Sequence, residues 1–62
     1  MTPNEERWAE ARAVERRHGG RAPLHVAERI GALALEGDVE GIRRWKQIAA
    51  CLDMLARARS GQ

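Results

Sequence analysis

The chain has 62 residues, a formal net charge of +2, two Trp, one Cys and neither Phe nor Tyr. Eleven residues are Ala and only eleven are Val, Ile or Leu; Ala favours helices and fills a core poorly, so a β-rich fold is excluded. The low net charge and patterned apolar residues disfavour disorder, and every apolar run is far shorter than the ~20 residues of a membrane span.

Thr2-Pro3-Asn4-Glu5 predicts a helix start, with Thr2 as N-cap, Pro3 in the first turn and Glu5 closing a capping box. Glu5 and Glu6 sit where the helix dipole favours negative charge. Trp8, Ala11, Val14 and His18 fall on one side, and Glu15 lies almost directly below Trp8. Arg16, Arg17 and His18 fill the last turn before Gly19-Gly20 stops the helix.

A second helix is expected from Pro23 to residue 36, ending at Gly37. Pro23, Val26, Ala27, Ile30, Leu33 and Ala34 form one face, while Leu24 and Leu35 lie well off it, around Gly31. A helix apolar on two sides reads as a central one packed between two neighbours.

Asp38 predicts the N-cap of a third and longest helix over residues 38–58. Ile42, Trp45, Ile48, Ala49, Leu52, Leu55 and Ala56 recur at steps of three and four, the strongest pattern in the chain. Glu40 with Arg44, and Asp53 with Arg57, are favourable i,i+4 pairs. Residues 60–62 should fray. The expectation is an all-α, single three-helix domain (3–18, 23–36 and 38–58) whose short linkers make neighbouring helices antiparallel.

Size adds an energetic constraint. By size scaling, a chain of 6.9 kDa exposes about 10,000 Å² unfolded and about 4,000 Å² folded. Burial of the apolar part is worth about 90 kcal/mol, against about 93 kcal/mol of ordering entropy. A lone monomer is marginal, so an apolar partner surface is expected.

The polar and reactive residues have plain readings and sharper ones. Glu15 either projects toward a partner's Arg or a ligand, or pairs with Arg12 or another nearby Arg; buried Glu is rare unless paired, which favours the second. His18 and His25 flank the Gly-Gly turn and, with Glu15 or Glu28, form at most a weak metal set, with no HExxH and no Cys/His pair. The plainer reading puts His18 at the end of the first helix and His25 on the surface. Cys51 lies beside the third helix's stripe, without a base or orienting group for nucleophilic chemistry, and reads as a buried or half-buried thiol. Trp8 and Trp45 read as core residues, with binding anchors as the other use of Trp. Met54 lies opposite the third helix's stripe and, if exposed, hints at a contact surface.

Charge is uneven: residues 1–21 sum to +1, 22–41 to −3 and 42–62 to +4. Arg43, Arg44, Lys46 and Arg57, followed by Arg59, make the third helix basic. A helix-turn-helix is rejected all the same. Val26 to Gly31 followed by Ile42-Arg43-Arg44-Trp45 has its halves wrongly spaced, since Gly31 to Arg43 is twelve residues and the real breaker is Gly37-Asp38. With Gly37 as the turn glycine, Asp38 and Arg43 fall where apolar residues are needed.

The chain resembles a family of small, uncharacterised bacterial proteins, classed as a domain of unknown function. The resemblance is carried by Trp8-Ala9-Glu10-Ala11, His18-Gly19, Pro23, Ala27-Glu28-Arg29-Ile30-Gly31, Gly37-Asp38, Gly41 and Leu52-Asp53. It covers nearly the whole chain and implies a complete protein, bacterial and cytoplasmic. It carries no activity, cofactor or binding residue.

A single Cys cannot form an internal disulfide and suits a reducing compartment. Residues 1–6 are polar and acidic rather than a secretory signal, which again suggests the cytoplasm. The expected function is non-catalytic, without cofactor or metal: a small helical interaction module that binds itself as a homodimer or docks on another protein. Trp8, Glu15, Leu24, Leu35 and Met54 are its candidate contacts. The alternative is a nucleic-acid-binding regulator using Arg43, Arg44, Lys46 and Arg57.

Overall fold

A computed structural model describes residues 2–60, with the side chains of 2–59. Every element is helical: α1 (Pro3–His18), a 3₁₀ turn (Gly19–Arg21), α2 (Ala22–Glu36) and α3 (Val39–Ser60). The all-α class is as expected, but three separate helices are not what forms. Helical backbone runs without a break from residue 3 to residue 36, so the chain is two helical runs, the first changing direction inside a 3₁₀ turn. Gly19 permits this with φ +57, and its N–H bonds back to the carbonyl of Glu15.

The helix ends follow from local sequence. Thr2 and Glu5 form the reciprocal capping box, at 3.1 and 2.8 Å. α2 begins one residue earlier than expected, so Pro23 takes the second helical position. It closes with Gly37 in the left-handed region (φ +74), where the N–H groups of Gly37 and Asp38 bond to Ala34 and Leu33, a Schellman turn. The Asp38 carboxylate then accepts the Gly41 N–H at 2.8 Å, capping α3. Asp38 therefore precedes α3, which runs on to Ser60 rather than stopping at 58. The fraying expected at Gly61 and Gln62 lies outside the described residues, while the backbone of Ser60 is helical.

α2 and α3 form an antiparallel hairpin across the Gly37-Asp38 link. Leu33 lies against Gly41, Arg29 stands over the Trp45 ring at 5.6 Å, and Pro23 and Ile30 share a groove with Ala49 and Ala56. Later residues of α2 thus meet earlier residues of α3. α1 does not continue this alignment. Glu10 reaches Arg44, and Glu15 reaches Arg59 at 2.8 Å. Consecutive antiparallel helices would leave α1 parallel to α3, and the step from Glu10 to Glu15 would then advance contacts by little more than one turn, not from Arg44 out to Arg59. Glu10 and Glu15 project about 140° apart around their helix, so opposite flanks of α1 meet opposite ends of α3. α1 lies across α3 rather than alongside it.

The buried core is Ala11, Ala22, Val26, Ile48, Cys51 and Leu52, with Trp8, Val14, Ile30, Trp45, Ala49 and Leu55 packed against it. Leu33 is buried beside the hairpin turn. Ala11 is 0% exposed, because a methyl group is what allows α1 to sit this close. Cys51 is buried even though it stands off the apolar stripe: α1 covers the flank of α3 that carries Gln47 and Cys51. The helix covered by both others is α3, not α2. The expected central role of α2 is thereby corrected, and among the described residues nothing covers its second apolar side. The buried face of α2 is also narrower than expected, since Pro23, Ala27 and Ala34 are exposed.

Candidate protein-docking surface

The candidate contacts separate into three places. On α2, Leu24 is 57% and Leu35 92% exposed, on the side opposite buried Val26 and Leu33. Gly31 stands between them with open space over its Cα. Val39, just beyond the turn and not singled out from sequence, is 63% exposed. Large apolar side chains held this far into water on one helix are the surface anomaly of the molecule.

Trp8 and Met54 come together elsewhere. They line a shallow cleft of about 440 Å³ between the start of α1 and the middle of α3, with Pro3, Ala50 and Cys51. Trp8 is half-buried against the core and Met54 is exposed at its rim.

Glu15 belongs to neither group. It is half-buried and bonded to Arg59, so the ion-pair reading holds, with a tertiary partner in place of Arg12. Glu10, which the sequence did not mark, is the more engaged carboxylate: it accepts from both Arg7 and Arg44. Its spacing to Arg7 is visible in the sequence, whereas Arg44 is 34 residues away. The hydrogen bond from Arg44 holds the Glu10 carboxyl below its ordinary 4.5, against partial desolvation and with help from Arg7. Because Glu10 takes Arg44, Glu40 pairs with Arg43 at 3.2 Å, and the expected Glu40–Arg44 pair does not form. Asp53–Arg57 forms as expected, at 3.0 Å.

The basic helix is therefore largely neutralised in place. Arg43, Arg44, Arg57 and Arg59 each face a carboxylate, and Lys46 is exposed.

His18 and His25 stack at 3.9 Å across the 3₁₀ turn, and His25 meets the Trp45 ring edge-on at 5.8 Å. His25 is thus half-buried rather than a surface residue. Among the described residues no three His, Cys, Asp or Glu side chains converge as metal ligands. Desolvation, then the neighbouring charges of His25 and Arg17, hold His18 below its ordinary 6.5. A depressed imidazole pKa favours the neutral ring in the folded state. Stability is then complete above pH 6.5 and falls as pH drops through 6.5 toward the lower folded value. His18→Gln should flatten that decline in thermal melts taken across this range; an unchanged decline would place its source elsewhere.

The described chain is all helical, and α2 carries an apolar face that no described residue covers. The chain belongs to the family of unknown function DUF6961, whose sequence pattern matches residues 3–60. No curated protein and no solved structure matches it. Among the described residues no helix is long and apolar enough to cross a membrane.

Proposed function

We propose that this protein is a non-catalytic docking module that binds a protein surface through the outer face of α2. One observation carries the reading: Leu24 and Leu35 stand in water on either side of an uncovered glycine, opposite the buried face of their own helix. Burying one such Leu is worth about 1.5–3 kcal/mol. The cleft beside Trp8 and the groove beside Pro23 are open to solvent, which suits packing against a macromolecule better than enclosing a small substrate. The nucleic-acid reading has less support, because each α3 arginine already faces a carboxylate that weakens its field.

Site-specific photocrosslinking in living cells separates the two. A photoreactive side chain at Leu35 should yield protein adducts that survive nuclease and disappear with protease. The same probe at Lys46 should yield none. Nucleic-acid adducts at Lys46 with no adduct at Leu35 would overturn the proposal.

A further inference from the structure

We infer that the partner on the outer face of α2 is a second copy of this chain, paired helix to helix in antiparallel, two-fold fashion. The inference rests on the docking reading above and names its occupant. Leu24, Glu28, Gly31 and Leu35 follow one another at steps of four, three and four, a coiled-coil seam that lies on the solvent side of α2. The order is self-complementary when reversed. Leu24 of one copy meets Leu35 of the other, and Glu28 meets Gly31. A two-fold axis then makes every contact twice, as an isologous interface requires.

Three further observations favour a copy over a foreign partner. First, Gly31 sits mid-helix at a cost of about 1 kcal/mol relative to Ala, yet beyond its own stretch of helix no described residue comes within 4 Å of where a Cβ would be. Gly41 differs, because a Cβ there would lie 2.6 Å from the Asp38 carboxylate and break the cap. The absent side chain at 31 has no use inside the monomer. It leaves a hole on the outer face, which the stem of Glu28 from the second copy fills, its carboxylate reaching the rim. Second, the face carries opposite charge at its two ends: Arg21 lies one turn before Leu24, and Glu36 and Asp38 follow Leu35. Antiparallel pairing sets Arg21 beside the acidic end of the other copy, and parallel pairing sets like charges together.

Third, the chain exposes more surface than its mass requires. The accessible surface is 4588 Å², whereas a compact chain of this mass exposes about 4,000 Å². A stable dimer needs each copy to cover about 600 Å² or more.

Sedimentation equilibrium of the purified chain tests this, followed by cysteine crosslinking in a Cys51→Ser background. The expected result is a dimer whose dissociation constant is little changed by high salt, and which Leu35→Glu weakens by about tenfold or more. Leu35 is almost fully exposed, so helicity in this variant should be unchanged. Leu24→Cys mixed with Leu35→Cys should crosslink readily on oxidation, and Leu24→Cys alone poorly. A monomer at every concentration overturns self-pairing, and efficient crosslinking of Leu24→Cys to itself overturns the antiparallel arrangement. If Leu35 photoadducts in cells then carry a foreign protein's mass, docking stands and only the copy is wrong. If Leu35 gives no protein adduct at all, the docking reading itself fails.

Discussion

Ile48→Ala should remove a large part of the stability of the fold. Ile48 is 2% exposed and is one of the two largest fully buried side chains, the other being Val26. It stands at the meeting of α3 with α1, and truncation opens a cavity that rigid helices close only in part. The cost is about 2–5 kcal/mol, against a whole-domain stability of about 3–9 kcal/mol at this length. Urea titration followed by far-UV circular dichroism reads this directly. A loss below about 1 kcal/mol would mean that Ile48 is not at the centre of the packing.

The opposite change at Ala11 should be nearly as damaging. Ala11 is the one residue of α1 with no exposure, at the place where that helix lies across the hairpin. Leu there adds three carbons where a methyl group already fills the gap. Overpacking of this kind costs about 1–3 kcal/mol, and the strain falls on the seating of α1. The Trp emission of Ala11→Leu should shift to the red before helical signal is lost, because Trp8 leaves its place against the core while α2 and α3 remain paired. Coincident loss of both signals, with no change in midpoint from the parent, would show that the crossing tolerates a larger side chain.

What the sequence made legible was local. Thr2, Glu5, Gly19, Gly37 and Asp38 act within a few residues of themselves, so their capping chemistry can be read without a fold. The apolar stripe of α3 was equally plain, and it is buried where expected at Ile48 and Leu52. Leu24 and Leu35 were marked as off-stripe, but a stripe alone does not say whether a second apolar side faces a neighbour or water. That depends on where α1 goes, and helical periodicity carries no information about a crossing angle. The same gap hid the partners of Glu10 and Glu15, which sit at opposite ends of α3 because α1 runs across it. Cys51 was read as a buried or half-buried thiol and is buried, but that α1 is what covers its flank was hidden by the same gap. The contact between His18 and His25 escaped for a different reason: Gly19-Gly20 reads as a stop, and here it bends the helix so tightly that the residues on either side meet.

The unbroken helical run from Pro3 through the 3₁₀ turn to Glu36 bears on how the molecule comes apart. A protease active site takes several residues in extended form, and between residues 3 and 60 only Gly37 and Asp38 lie outside a helix. Both are fastened there by the Schellman bonds and the Asp38 cap. No stretch of the described chain can be threaded into a cleavage site without first unwinding a helix. Digestion should therefore follow the population of opened molecules rather than any exposed loop, and intact chain should give way to small peptides with few lasting fragments.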